Sequence, residues 1–206
     1  MRKQKIILLV LTFLLIGLSL NARAARRTLS AGATYAHLSS AEECMDASMN
    51  GPGFYLYGLI QRKKTSPLAI FSDIVVFFPS KVKWDDSKID RDEFDHLNCV
   101  DMIVGPAYTQ AFYDQLWVNA GGGIYLLNTY MKMSSDLRAD SFSVGAGLSA
   151  NVQYKLTNNL FLEGGLRAGW TFWGWYDYEI DSDYDVETYT DSSWTIAGKL
   201  GLSFQY

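Results

Sequence analysis

Five charged residues fall at positions that we expect to face the interior of a sheet. They lie in four separate segments of the chain and comprise three acids and two bases: Asp73, Asp101, Glu163, Arg167 and Lys199. A charge that is removed from water needs opposite charges and hydrogen bonds around it. We therefore predict that these residues pair across a narrow interior, where the network keeps neighbouring strands in register and closes the space to ions.

Other residue types that carry chemistry do not form a complete catalytic or metal site. His37 and Ser39 resemble a base and a nucleophile, but the sequence places no acid beside them, so a lipid-modifying enzyme is a remote alternative and we expect no catalytic residues. The acidic run over 181–187 lacks the glycine and the terminal bidentate glutamate of a calcium loop. We expect neither a metal nor a cofactor.

Two cysteines, Cys44 and Cys99, are the whole cysteine content of the chain. Both fall on the side of the fold that we assign to the cell exterior, where thiols are oxidised. The sequence therefore makes a disulfide between them a candidate, and it leaves open whether the bond forms.

The segment 173–192 alternates aromatic and acidic residues and contains no Lys or Arg. Its candidate contact residues are aromatic: Trp173, Trp175, Tyr176, Tyr178, Tyr184 and Tyr189. One interpretation is a hairpin that continues two strands into solvent, with tyrosines paired across it and acids that keep it soluble. The other is a surface that binds a basic partner, and the two interpretations are compatible.

The last predicted strand of the chain shows what kind of element positions the charged residues. Over 193–206 one face is apolar from Trp194 to Tyr206, and the other carries small and polar side chains together with Lys199. Its length exceeds that of the usual soluble strand of about 5–6 residues and suits a tilted strand that crosses a bilayer. The pattern predicts lipid on one face and a filled polar interior on the other.

The carboxy-terminal residues Lys199, Gly201, Phe204 and Tyr206, with an aromatic at the very end, resemble the signal by which outer-membrane barrels of Gram-negative type are recognised by their assembly machinery. The resemblance implies that this machinery is a partner and that the destination is the outer membrane.

The first 24 residues have the pattern of a cleaved signal peptide. A basic stretch precedes an apolar run over 6–20, and the small residues Ala22 and Ala24 predict cleavage before Ala25. The remaining chain, 25–206, is expected to form one domain. Without the four basic residues of the leader its net charge is near −8, which excludes a nucleic-acid-binding function.

Alternating polarity predicts eight strands in that domain, so the fold class is all-β, an eight-stranded antiparallel transmembrane β-barrel. The predicted strands cover 28–37, 53–61, 67–78, 98–109, 115–128, 140–154, 159–172 and 193–206. Three connections are short, whereas four are long, at 38–52, 79–97, 129–139 and 173–192. Sorting by length is typical of outer-membrane barrels, which have short periplasmic turns and long outer loops.

Several glycine and aromatic motifs resemble the small eight-stranded barrels of the outer-membrane protein X family, which includes the Ail-type attachment proteins. They are Ser66-Pro67-Leu68, Gly105-Pro106-Ala107-Tyr108, Gly121-Gly122-Gly123 with Tyr125, Gly145-Ala146-Gly147-Leu148 and Trp194-Thr195-Ile196-Ala197-Gly198. The outer-membrane protein W class is similar in size. The resemblance implies fold and location more than activity.

The expected function is that of a surface-displayed binding or adhesion scaffold, with lipid around the barrel and a host surface or matrix protein as the candidate partner. The alternative is passive uptake of small hydrophobic molecules through an opening in the wall. It is motivated by apolar residues at inward positions of the second and third predicted strands: Tyr55, Tyr57, Phe71, Val75 and Phe77. The register of the second to fourth strands is the least constrained, because a slip of one residue would invert it.

Overall fold

The computed structural model describes residues 26–42, 45–63, 66–84, 87–133, 137–180, 183–189 and 192–206. Its strands are β1 (Arg26–Glu42), β2 (Met45–Gln61), β3 (Leu68–Phe77), β4 (Lys81–Trp84), β5 (Ser87–Ile89), β6 (Phe94–Phe112), β7 (Leu116–Met133), β8 (Arg138–Lys155), β9 (Leu160–Ile180), β10 (Asp183–Tyr189) and β11 (Trp194–Gln205). One short 3-10 helix, Arg91–Glu93, precedes β6. No helix among the described residues is long and apolar enough to span a membrane.

Eight of these strands close into an antiparallel barrel. The order around the ring is β1, β2, β3, β6, β7, β8, β9 and β11, and β1 pairs with both β2 and β11. Ala33, for example, lies opposite Phe54 on one side and Leu200 on the other. Closure leaves no unpaired edge along the shared length of these strands. The predicted eight-stranded barrel is confirmed.

The outer face of the barrel is a belt of exposed apolar side chains. On β11 and directly after it the six residues of the predicted apolar face are all exposed: Trp194, Ile196, Leu200, Leu202, Phe204 and Tyr206. On the opposite face of the same strand, Thr195, Lys199 and Ser203 are buried. An apolar surface of this extent is stable only in contact with lipid.

The register of the second and third barrel strands agrees with the prediction as well. Tyr55 and Tyr57 on β2 and Phe71, Val75 and Phe77 on β3 are buried in the interior. These strands are apolar on both faces, so their alternation is weak in sequence. Their register is fixed by pairing with neighbours, with Tyr57 opposite Asp73.

The two ends of the barrel differ. At one end, which we call the turn end, three short connections join the strands, at 62–67, 113–115 and 156–159. Tyr113 adopts a left-handed conformation there, with φ 61°, as a tight turn requires. The other end, the hairpin end, carries the segments that were predicted to be long loops.

The described parts of those four segments are mostly strand, so the loop prediction is wrong for 38–52, 79–97 and 129–139. β1 and β2 stay paired as far as Glu42 and Met45, within the predicted loop 38–52. The predicted long loop 79–97 contains β4, β5 and the 3-10 helix, and β7 and β8 extend into 129–139. Beyond the membrane both faces of a sheet meet water, so polar residues there do not interrupt a strand.

The segment 173–192 forms the hairpin that one interpretation predicted. β10 folds back on β9 and pairs with it from Asp183 opposite Ile180 to Tyr189 opposite Gly174. A bulge at Phe172 interrupts the register between β8 and β9. Bulges increase local twist, and this one lies where β9 leaves the apolar belt.

Candidate functional site

The centre of the lumen is crossed by a network of ion pairs. Arg167 on β9 contacts Asp73 on β3, with 3.3 Å between Nη1 and Oδ1, and its Nη2 pairs with Asp101 on β6. Strands β9 and β3 lie on opposite sides of the eight-stranded ring. The side chain of Arg167 therefore spans the bore, which in a barrel of this size is just wide enough for side chains to fill.

Lys199 on β11 completes the pairing of Asp73. Its Nζ lies 2.5 Å from Asp73 Oδ2, and the Ser149 hydroxyl donates to the same oxygen at 2.6 Å. Asp73 thus has two cationic partners and one neutral donor. Asp101 has Arg167 and, at 3.5 Å, the hydroxyl of Tyr125.

Glu163 is buried in the same lumen but is held by neutral donors. Ser30 donates to its Oε2 at 2.7 Å and Gln153 at 2.6 Å. Gln153 also donates to Ser203 at 3.0 Å and accepts from Gln205. Among the described residues Glu163 forms no salt bridge. The structure therefore brings all five predicted charges into one interior, with four joined by ion pairs and Glu163 in an adjoining amide and hydroxyl network.

An apolar layer fills the lumen on the hairpin side of this network. Its members come from β1, β2 and β4 on one side and from β6 and β7 on the other: Leu38, Met49, Val82, Phe94, Leu97 and Met131. We call these six residues the outer apolar layer. Leu38, Met49 and Val82 are directly opposite one another on adjacent strands, as are Leu97 and Met131. The layer covers the ion pairs from the hairpin end.

The predicted disulfide falls partly outside the described residues, because Cys44 is not among them. Cys99 lies in β6 next to the outer apolar layer and is fully buried. Its sulfur lies 3.7 Å from the Thr129 hydroxyl, which donates to it. Pairing with Cys44 stays a prediction.

The predicted contact residues of the β9–β10 hairpin are only partly described. Trp173 and Trp175 pack together with 5.3 Å between ring centroids, and Phe142 on β8 packs against Trp175 at 4.6 Å. The other four, Tyr176, Tyr178, Tyr184 and Tyr189, have their backbones in β9 and β10, and their side chains lie outside the description.

His37 and Ser39 lie on β1 near the hairpin end. His37 packs against Trp194, with 5.0 Å between ring centroids. Within the described chain neither His37 nor Ser39 has a side-chain hydrogen bond to the other or to an acid. This geometry lacks the nucleophile and base contact that covalent catalysis needs.

The residues of the assembly signal all lie on β11 or directly after it. Phe204 and Tyr206 face outward with their rings 6.0 Å apart, whereas Lys199 faces the lumen. Gly201 is packed against the backbone of Ala31 and Gly32, so a side chain there would collide with β1. The signal-cleavage residues Ala22, Ala24 and Ala25 lie outside the described residues.

Two groups of interior residues were missed by the sequence analysis. The neutral donors Ser30, Ser149 and Gln153 were recognisable only as polar inward positions, because nothing local shows which acid each one contacts. Arg26, at the first described position, was not singled out in the sequence. Its position opposite Trp117 depends on the closure of the barrel.

No family model and no curated protein matches the sequence. Solved structures do match the fold. A major outer membrane protein from Thermus thermophilus is 14% identical over 84% of this chain and 99% of its own, with a TM-score of 0.57. The outer membrane protein AlkL, solved in lipid bilayers, is 13% identical over 89% and 91%, with a TM-score of 0.52. Neisserial surface protein A is 14% identical over 87% and 95%, with a TM-score of 0.50.

Similarity at this level of identity shows the fold. The chain is a small outer-membrane β-barrel, and it is located in the outer membrane. The resemblance to small eight-stranded outer-membrane barrels is thus confirmed for the fold. In such barrels the short turns face the periplasm, so the turn end is periplasmic and the hairpin end faces the cell exterior.

Proposed function

We propose that this outer-membrane barrel is a surface-displayed binding scaffold that contacts a host surface or matrix protein through the β9–β10 hairpin. The observation that carries the proposal is the filled lumen. Arg167 joins opposite walls through Asp73 and Asp101, and the outer apolar layer lies above them. A bore that is occupied from wall to wall gives solutes no route, so function is expected on the outer surface.

The β9–β10 hairpin is the outer element with the most distinct composition. β9 continues from Gly174 to Ile180 beyond the apolar belt, which at about 3.3 Å per residue adds roughly 20 Å of strand. Residues 173–192 include seven acids and six aromatics but no Lys, Arg or His. Such a surface is complementary to a basic partner that offers cations to both carboxylates and rings.

The barrel supplies a rigid base for this hairpin. Trp175 is fixed between Trp173 and Phe142, so the root of the hairpin is packed on β8. A preordered surface binds with a smaller entropic cost than a free loop.

Deletion of 176–190 tests the proposal by measuring the binding of cells that display the protein to host cells and to matrix proteins. We expect binding to fall to background while the variant remains a folded barrel by heat-modifiable gel mobility. A finer variant keeps the hairpin and neutralises three acids of β10: Asp183→Asn, Asp185→Asn and Glu187→Gln.

The matched control neutralises three acids in the segment before β6: Asp90→Asn, Asp92→Asn and Glu93→Gln. Binding should weaken for the β10 variant and persist for the control. Unchanged binding after the deletion would count against the hairpin as the contact surface.

Passive uptake of hydrophobic molecules is the second candidate, and one observation favours it. Among the described residues β5 pairs with β4 but not with β6, so the outer wall is not continuous next to the outer apolar layer. A solute that entered there would meet Leu97 and Val82 before reaching the ion pairs. Uptake of a hydrophobic solute into vesicles that contain the protein, above that of empty vesicles, would favour this function over the scaffold.

A further inference from the structure

Arg26, at the start of β1, is a buried cation without a counter-ion among the described residues. Its side chain is turned into the periplasmic end of the lumen, and the residue is 9% exposed. Its Nε, Nη1 and Nη2 atoms all lack a hydrogen-bond partner in the described part of the chain. Because arginine stays protonated in proteins, the charge cannot be removed by titration. A buried charge in this state requires an anion or water.

The contact that Arg26 does make leaves its donors available. The guanidinium lies over the ring of Trp117 on β7, with its central carbon 3.6 Å from the ring centroid. Stacking uses the face of the guanidinium, whereas the N–H groups point outward in its plane. A planar fork of donors held in one orientation matches the oxygens of a carboxylate or phosphate.

Three further buried polar side chains near this level of the barrel also lack partners among the described residues. They are the hydroxyls of Thr28 and Thr109 and both side-chain atoms of Asn119. Thr28 follows Arg26 by two positions on β1, Asn119 follows Trp117 by two on β7, and Thr109 is directly opposite Asn119. At about 3.3 Å per residue, Thr28 and Asn119 lie roughly 7 Å deeper in the lumen. We call Arg26, Thr28, Thr109 and Asn119 the turn-end polar cluster.

The acids of the lumen have contacts other than Arg26, although Glu163 accepts only through Oε2 and its Oε1 has no hydrogen-bond partner among the described residues. Asp73 and Asp101 pair with Arg167, Asp73 also pairs with Lys199, and Glu163 accepts from Ser30 and Gln153. None of them forms a salt bridge with Arg26 in the described structure. The turn-end polar cluster therefore combines one positive charge with neutral donors.

We propose that the turn-end polar cluster binds a small oxyanion, of the carboxylate or phosphate class, that enters from the periplasmic mouth. The edge of the Arg26 guanidinium supplies charge-assisted hydrogen bonds, and Thr28, Thr109 and Asn119 supply neutral ones. Trp117 fixes the arginine by stacking. The ion pairs above the cluster close the path outward, so the site binds an anion without conducting it.

The test uses the processed full chain, refolded in a detergent without phosphate, and follows tryptophan fluorescence during titration. Sodium phosphate and sodium acetate are the two probes, at an ionic strength kept constant with sodium chloride. We expect a saturable change with at least one probe. Trp117→Phe should remove most of the fluorescence response, because Trp117 lies against the arginine.

Arg26→Met should weaken binding by at least about tenfold, since it removes the charge and all of its donors while keeping an unbranched side chain. The matched control is Arg27→Met. Arg27 is the next residue, and its guanidinium lies 6.0 Å from the centroid of the outward-facing Tyr206 ring. This variant should bind like the parent protein. Asn119→Leu is a second variant, with an expected loss of affinity and no change of charge.

Heat-modifiable gel mobility verifies that each variant is folded, and unfolding by urea supplies a second readout. A bound anion should raise the urea midpoint of the parent protein and leave that of Arg26→Met unchanged. The absence of a saturable response to both probes would overturn the proposal. An equal response in Arg26→Met would do so as well, because the anion would then bind without the guanidinium.

Discussion

Replacement of Arg167 by methionine is the sharpest test of the lumen network. Arg167 is the cationic partner of two buried carboxylates, Asp73 and Asp101, and its side chain is 1% exposed. Without it Asp73 keeps Lys199 and Ser149, whereas Asp101 keeps only the long hydrogen bond from Tyr125. Removing one member of a buried pair costs about 3–5 kcal/mol, and we expect Arg167→Met to lower the free energy of unfolding by that amount.

Lys199→Met is the comparison that makes the same replacement at the other buried cation of the network. It removes one cation from Asp73, which retains Arg167 at 3.3 Å and Ser149 at 2.6 Å, so no carboxylate loses its last cation. We expect a smaller loss, about 1–3 kcal/mol. Leu166→Met, on the lipid side of the same strand, is the control for a change outside the lumen and should cost less than about 1.5 kcal/mol.

The double variant Arg167→Met with Asp101→Leu separates lost pairing from lost packing. It removes the carboxylate that the single change leaves without a cation, and apolar replacements of buried pairs are often neutral. We expect it to recover at least about 2 kcal/mol of the loss in the single variant. Reversible unfolding by urea in vesicles, followed by tryptophan fluorescence, measures each free energy. If Lys199→Met costs as much as Arg167→Met, or if the double variant is no more stable than the single one, the unpaired carboxylate of Asp101 does not account for the loss.

Three further predictions concern packing, the hairpin and conduction. A Cβ at Gly169 would collide with the ring of Tyr125, so Gly169→Val should break the 2.8 Å hydrogen bond between the Tyr125 and Thr195 hydroxyls. We expect it to lower the free energy of unfolding in urea by about 1–3 kcal/mol. Gly198→Ala is the control: its Cβ would lie 3.9 Å from Leu166, and it should cost less than half as much. Trp175→Ala removes the ring contacts to Phe142 and Trp173 and should increase amide hydrogen exchange over 174–180. The heat-modifiable gel mobility should not change. Exchange equal to that of the parent protein would show that these contacts do not order the hairpin. In planar bilayers the parent protein should give no steady conductance, because Arg167 spans the bore, and a stable open level would contradict a filled lumen.

Much of the fold was predictable because lipid imposes a simple pattern. A strand with lipid on one face and a packed interior on the other must alternate apolar and polar side chains. On β8, β9 and β11 this alternation was clear enough to predict which residues face the lumen. The pattern failed for residues 38–52 and 79–97, where both faces of the sheet meet water or an apolar layer. Periodicity no longer marks a strand there, and the pairing of β1 with β2 and of β4 with β2 extends the barrel wall through backbone hydrogen bonds.

The inward position of Asp73, Asp101, Glu163, Arg167 and Lys199 followed from the sequence alone, since parity decides which face a residue occupies. Which acid contacts which base did not follow. That depends on the stagger of eight strands around a closed ring, which brings Arg167 on β9 to Asp73 on β3 across the bore and leaves Glu163 to Ser30 and Gln153. The same closure places Arg26 over Trp117, from strands on opposite sides of the ring. Sequence determined the face of each residue, and only the closed barrel decided its partner, because contacts across a lumen join residues that have no local relation along the chain.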